Sequence, residues 1–110
     1  MDKTQATIAF SALSQPTRLD VFRLLVKAGR DGIAAGDIAI LLDVRQNTLS
    51  SNLSILHQAG LVRSQREGRS IRYFADMNGM RAVLEYLMQD CCGGAPGLCQ
   101  PPLNDIANRC

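Results

Sequence analysis

Three of the chain's four cysteines fall within nine residues near its C-terminal end, Cys91-Cys92-Gly93-Gly94-Ala95-Pro96-Gly97-Leu98-Cys99, and Cys110 is the fourth. Thiolate is the soft ligand among side chains, so three of them with no histidine or carboxylate in the run select for soft, thiophilic ions. A disulfide between the neighbours is disfavoured. Adjacent Cα atoms lie about 3.8 Å apart across a trans peptide, below the roughly 4.4 Å at which ordinary disulfides begin. On a regular helix Cys91 and Cys92 point about 100° apart. Gly93-Gly94 lets a helix end there, and Ala95-Pro96-Gly97 can fold the chain back so that Cys99 adds a third sulfur at small entropic cost. Four-sulfur zinc sites normally use two closely spaced cysteine pairs. That spacing is absent, and Cys110 is read as a free thiol.

A second set of residues points to a different chemistry. From about Gln46 or Asn47 to Ala59, Leu49, Leu53 and Leu56 repeat at helical spacing, and the residues between them are Asn47, Thr48, Ser50, Ser51, Asn52, Ser54 and His57. This outward face is dense in hydrogen-bonding groups and almost free of charge. Ser, Thr and Asn are poor helix formers compared with Glu, Lys and Gln, so something other than helix propensity selects them. Asn and Gln can bond bidentately to adenine, Ser and Thr can contact bases or phosphates, and a Thr methyl can touch thymine.

Charge is distributed to match. The 110 residues carry 12 Lys and Arg against 10 Asp and Glu, a net +2 that does not by itself announce a nucleic-acid binder. Between Val44 and Ala75, however, five arginines (Arg45, Arg63, Arg66, Arg69, Arg72) face one acid, Glu67, leaving this third of the chain at +4. The remainder is net acidic.

The elements that must position these groups follow from the apolar pattern. A short helix over Thr4 to Leu13 carries Ile8, Phe10, Ala12 and Leu13 toward a partner. Pro16 starts a second helix, with Leu19, Phe22, Leu25 and Val26 at helical spacing and Gly29 and Gly32 after it. A third, around Ala34 to Leu42, places Ile38, Leu41 and Leu42 on one side, and the polar-faced helix is the fourth, stopped by Gly60. Leu61 to Ala75 alternates with period two about Glu67-Gly68-Arg69, which predicts a hairpin with Val62, Ile71 and Tyr73 on its packed side. A last helix, Asn78 to Asp90, carries Met80, Val83, Leu84, Leu87 and Met88 on one stripe and runs straight into the cysteines. The expected fold is mainly α with a β-hairpin, a winged helix-turn-helix of order ααααββα. Residues 1–90 form the DNA-binding and dimerisation domain, and 91–110 form a cysteine-containing loop and tail.

Helix, turn, polar-faced helix and basic hairpin in that order make a DNA-binding unit: the second helix of the pair enters the major groove, and the positive hairpin meets phosphates or the minor groove. The expected DNA contacts are Gln46, Asn47, Thr48, Ser50, Ser51, Asn52, Ser54, His57, Arg69 and Arg72. His57 is the lone histidine, and packing or phosphate contact is its expected role. Tyr73 and Phe74 are read as strand residues, Met80 and Met88 as packing groups. No signal peptide or membrane-spanning run is seen, which predicts a cytoplasmic chain with no membrane partner. Thiols stay reduced in that compartment.

The segments Ala12-Leu13-Ser14-Gln15-Pro16-Thr17-Arg18-Leu19, Asn47-Thr48-Leu49-Ser50-Ser51-Asn52-Leu53-Ser54-Ile55-Leu56, Ala59-Gly60-Leu61-Val62 and Arg66-Glu67-Gly68-Arg69-Ser70-Ile71-Arg72-Tyr73 resemble the ArsR/SmtB metal-sensing repressors over roughly residues 6 to 90. The resemblance implies a homodimer through the first and last helices, bound as apoprotein to an inverted-repeat operator and released by a metal or metalloid. The usual sensing sites are missing. Ala34-Ala35-Gly36-Asp37 stands where the best-known arsenic sensors carry Cys-Val-Cys, and the last helix lacks the histidine of the zinc sensors.

Cysteine clusters after the last helix occur in an arsenic-responsive subgroup, so the resemblance implies As(III) or Sb(III) as inducer, held by Cys91, Cys92 and Cys99, with no organic cofactor. Trivalent arsenic and antimony take three thiolates in a pyramid. Another soft metal (Cd, Pb, Zn, Cu) or thiol redox sensing is the alternative inducer. An enzyme, such as a small thiol oxidoreductase, would show Cys-x-x-Cys near a βαβ pattern or a phosphate-binding loop. Neither is present.

Overall fold

A computed structural model describes residues 1–89. Its elements are α1 (Lys3–Leu13), α2 (Pro16–Ala28), β1 (Ile33–Ala34), α3 (Ala35–Leu42), α4 (Gln46–Gln58), β2 (Val62–Glu67), β3 (Ser70–Ala75) and α5 (Met77–Met88), with a single 3₁₀ turn at Gly29–Asp31 after α2. The expected winged helix-turn-helix is the observed fold. Besides the 3₁₀ turn it adds β1, which joins the hairpin in an antiparallel sheet of order β1-β3-β2, Ile33 opposite Tyr73 and Ala34 opposite Arg72. Two residues are too few to leave a periodic pattern in sequence.

Local chemistry sets the helix boundaries. Asp2 and Gln5 form a reciprocal capping box on α1, satisfying two backbone donors that a helix start leaves open. Gln15 caps α2 by accepting from the Arg18 N–H at 2.8 Å, with Pro16 in the first turn. Asp76 caps α5 by accepting from Asn78 and Gly79 N–H groups at 3.1 and 3.2 Å. The α3–α4 turn is closed by Asp43 at φ 52°, with Val44 N–H donating to Ala39 O at 3.0 Å, a Schellman-type end.

The core draws on every helix and on β2. Val21, Leu25, Ile38, Leu53, Leu56, Leu61 and Val83 are fully buried, each stabilising the fold by about 1.5–3 kcal/mol relative to exposure. The three expected leucines of α4, Leu49, Leu53 and Leu56, all face inward.

Elsewhere geometry sets the inward faces, and on α3 it departs from the expected one. Helix α1 turns its alanines, Ala6, Ala9 and Ala12, to the core, and Ile8 and Phe10 remain exposed. Small residues let α1 lie close on α2 and α4. On α3 the buried face is centred between Ile38 and Ala39 with Leu42 half-buried, which places Leu41 about 110° away. Leu41 is accordingly 62% exposed and Ile40 78%.

In the hairpin Val62 and Phe74 are buried, Tyr73 is half-buried and Ile71 is exposed. Both faces of the ribbon are covered at its base, and Ile71 lies beyond that cover, nearer the tip. Phe74 occupies the space beside Gly32, where a Cβ would meet Tyr73 O at 2.5 Å and the Phe74 ring at 2.6 Å. Gly32 also holds φ +60°, so the site demands glycine twice over.

Helix α5 sits against the end of α4 with no room for a side chain, because a Cβ on Gly79 would collide with the backbone carbonyl of Gly60. Gly79→Ala is expected to lower stability by about 1–3 kcal/mol, the range for overpacking, by urea unfolding. Gly36→Ala, whose Cβ would meet nothing nearer than Gln46 at 3.8 Å, should raise it by about 0.5–1 kcal/mol. Equal effects at the two positions would refute the close α5 contact.

Candidate nucleic-acid interface

The exposed side of α4 presents Gln46, Asn47, Thr48, Ser50, Ser51, Ser54 and His57, and Asn47, Ser50, Ser51 and Ser54 recur at three- and four-residue spacing along one stripe. The leucines on the opposite face hold this stripe outward. At the start of α4, Arg45 provides no side-chain cap, and Asn47 Oδ1 accepts from Thr48 N–H at 2.9 Å. The remaining first-turn N–H groups and the positive end of the helix dipole are suited to a phosphate. Along α4 there is no acid, Asp or Glu, to oppose one.

Asn52 is a correction to the expected contact set. It is buried, at 7% exposure, and its Oδ1 accepts from Arg18 Nη1 at 3.3 Å. The reason lies in its spacing: three residues after Leu49 and four before Leu56, it shares the leucine face. The periodicity of the leucines could have revealed this. The partner of Asn52, Arg18, lies 34 positions away, a distance that leaves no trace in local pattern.

The wing is the β2–β3 hairpin, in register from Val62 opposite Ala75 to Glu67 opposite Ser70, with Gly68 and Arg69 at the tip. Its arginines have separate duties. The Arg63 guanidinium lies 4.4 Å from the centroid of the Phe74 ring, an attraction between cation and ring face that holds it along the ribbon. Arg66 Nε donates to Gly68 O at 3.4 Å, across its own turn. Arg69 is exposed and makes no side-chain hydrogen bond among the described residues. It is the arginine at the tip that is available to a phosphate.

Arg72 also departs from a simple contact role. Its Nε donates to Glu67 Oε1 at 2.8 Å, and its Nη1 donates to Asp31 O at 3.0 Å and Gly32 O at 3.3 Å. The hydrogen bond and charge of Glu67 raise its pKa above the ordinary arginine value, and Asp37 and Asp31 add to the effect. These bonds tie the wing to the turn before β1. Arg72 therefore orients the wing that carries Arg69.

A helix-turn-helix domain family matches residues 13–65, a span that runs from the end of α1 through α4 into β2. The chain is 34% identical over 89 residues to the biofilm growth-associated repressor of Agrobacterium fabrum, covering 81% of this chain and 74% of that protein. It is 36% identical over 69 residues to a putative arsenical resistance operon repressor of Halobacterium salinarum, covering 63% of this chain and 53% of that one. An ArsR-like transcriptional regulator from Rhodococcus superposes with a TM-score of 0.69 at 30% identity, 78% of each chain being covered. A homodimeric winged helix-turn-helix domain from Mycobacterium bovis, a possible ArsR-family regulator, does so with a TM-score of 0.65 at 27% identity, over 77% of this chain and 83% of that one. The chain belongs to the ArsR/SmtB family of transcriptional regulators.

In this ArsR/SmtB chain the α3–turn–α4 unit and the wing together present the candidate DNA-binding surface. The inducer site is a separate matter. Among the described residues no group of three His, Cys, Asp or Glu side chains lies close enough to hold an ion, and Cys91, Cys92, Cys99 and Cys110 lie outside the described residues. No helix among the described residues is long and apolar enough to cross a membrane.

The two wing arginines should separate experimentally. Arg69→Ala is expected to weaken duplex binding and reduce the salt slope by about one, as for one lost phosphate contact. Arg72→Ala should also weaken binding, but through loss of hydrogen-exchange protection in β2 and β3, which Arg69→Ala leaves intact. Anisotropy titrations at several salt concentrations, with exchange on both variants, check this. An unchanged slope for Arg69→Ala would remove it from the interface.

Proposed function

We propose that the protein is a homodimeric repressor that binds an inverted-repeat operator as apoprotein and is released when As(III) or Sb(III) binds Cys91, Cys92 and Cys99. The observation that carries this reading is the direct continuity between an exposed apolar helix and the cysteine run. Helix α5 ends at Met88, with Leu87 56% exposed and Met88 also exposed, and Cys91 follows three residues later. Helix α1 adds exposed Met1, Ile8 and Phe10. Apolar side chains left open on two neighbouring helices of so small a domain call for a partner.

A second copy is the partner that the family and the homodimeric Mycobacterium bovis domain support. Two protomers then set two copies of α4 about 34–36 Å apart, one turn of duplex. Gln46, Asn47, Thr48, Ser50, Ser51, Ser54 and His57 face the major groove, with Arg69 on the flanking backbone.

The donor set suits a trivalent metalloid: three thiolates, with neither histidine nor carboxylate in the run. The arsenical operon repressor among the relatives supports the same ligand. Cys110, eleven residues beyond Cys99, is left out of the proposed ligand set. An ion held at the end of α5 acts on the helix that also carries part of the dimer face, and so on the spacing of the two recognition helices. Reciprocity requires operator DNA to weaken inducer binding by the same factor.

The test begins with a duplex selected from a random pool by the purified protein. The complex is then titrated with arsenite, antimonite, zinc, cadmium and hydrogen peroxide while release is followed by anisotropy. Cys91→Ser, Cys92→Ser and Cys99→Ser should each keep operator affinity and lose arsenite-induced release. Retained release in one variant removes that residue from the site; release by zinc, cadmium or peroxide but not by arsenite or antimonite overturns the metalloid assignment.

A further inference from the structure

We propose that Arg18 is a positioning residue for operator binding, the link by which α1 sets the orientation of the recognition helix α4; this rests on the repressor reading above. All three guanidinium nitrogens of Arg18 are engaged. Nε donates to Ala12 O at 2.7 Å, Nη2 to Ser11 O at 3.4 Å and Nη1 to Asn52 Oδ1 at 3.3 Å. Both carbonyl acceptors belong to the last turn of α1, which has no basic residue of its own; helix-end carbonyls such as Ala12 O lack intrahelical partners, while Ser11 O also accepts from the Ser14 N–H and hydroxyl at 3.2 and 2.8 Å. One cation from α2 therefore joins Ser14 in closing α1 and, with its third nitrogen, holds α4.

The geometry of the link is rigid at each end. Gln15 fixes the Arg18 backbone by its cap, accepting from the Arg18 N–H at 2.8 Å, and the guanidinium is a planar fork whose donors cannot move independently. Asn52 is the one buried polar side chain among the described residues, and no buried side-chain polar atom there lacks a partner. The bond from Arg18 is the only side-chain hydrogen bond of Asn52 among the described residues. Asn52 has Ser51 on one side in sequence and Ser50 and Ser54 two residues away, all three exposed on the operator-facing stripe.

A displacement of α1, whose exposed Ile8 and Phe10 belong to the proposed dimer face, must drag the fork from Asn52 or carry α4 with it. Burial keeps Asn52 from the operator, so its effect on DNA binding passes through this bond. The same path gives inducer binding at the dimer helices a route to α4 within one protomer.

The experiment compares wild type with Arg18→Lys, Asn52→Leu, the double variant and Asn52→Asp. Operator affinity is read against salt, and hydrogen exchange is read on the free protein. Arg18→Lys keeps the charge but cannot reach three acceptors, and it and Asn52→Leu should each lower operator affinity about tenfold, inside the usual span of coupling between sites. The salt slope should stay unchanged, since no phosphate contact is lost. The double variant should be no weaker than either single one, the sign of one shared interaction. Asn52→Asp keeps the acceptor and should keep wild-type affinity. In exchange, α4 amides should lose protection while those of α2 and the hairpin retain theirs.

Additive losses, unchanged operator affinity in both single variants, a reduced salt slope in Arg18→Lys, or a uniform loss of protection across all helices would each overturn the proposal. If wild type selects no duplex at all, the repressor reading falls on its own. Exchange then decides the link separately, and unchanged α4 protection in Arg18→Lys and Asn52→Leu overturns it.

Discussion

Burial of one face of α4 is the constraint on which the rest of the structure depends. Leu49, Leu53 and Leu56 are all essentially inaccessible, and rotating the helix to expose them would cost several kcal/mol at about 1.5–3 kcal/mol for each side chain. Propensity does not favour this helix, because Ser, Thr and Asn fill its other face. Tertiary burial supplies what propensity lacks, and in doing so it decides which polar groups face outward. The recognition surface is thus a consequence of the core.

That dependence explains how much could be read from sequence. The leucine repeat located α4 to within a residue, and Pro16, Gly60 and the alternation about Gly68 located α2, the end of α4 and the wing. The apolar pattern alone does not resolve which large residues pack inward: on α3 Leu41 is left out while Ala39 is buried, and α1 packs through Ala6, Ala9 and Ala12 and leaves Ile8 and Phe10 out. The site showed the same division. Ser50, Ser51 and Ser54 face out as their spacing implied, whereas Asn52, of the right type for a base contact, lies on the leucine side. Residue type suggested a contact there; position ruled it out.

The long-range pairs were not legible at all. Arg18 with Asn52, and Arg72 with the carbonyls of Asp31 and Gly32, join residues 34 to 41 positions apart, and no local pattern records such distances. They share a chemical logic, however. In each, one guanidinium collects two backbone carbonyls at a helix end or turn and adds one side-chain acceptor, Asn52 Oδ1 or Glu67 Oε1. Arginine suits this task because its donors diverge in a fixed plane, whereas a lysine ammonium presents a point charge on a flexible stem.

Separation of charge from hydrogen bonding completes the argument about the surface. Helix α4 carries no acid and no Lys or Arg, and the positive charge nearby sits on Arg45 at its start, on the wing, and on Arg18, whose guanidinium is engaged by α1 and Asn52. Phosphate attraction is salt-dependent and blind to sequence, whereas hydrogen bonds to base edges discriminate between bases. Under the proposed repressor reading, placing the two on different elements would let the stripe on α4 change its preferred bases without altering general affinity for duplex. It also leaves the proposed sensing thiols outside both, beyond the end of α5. A change in their ligand chemistry would then leave the leucine face and the operator-facing stripe undisturbed.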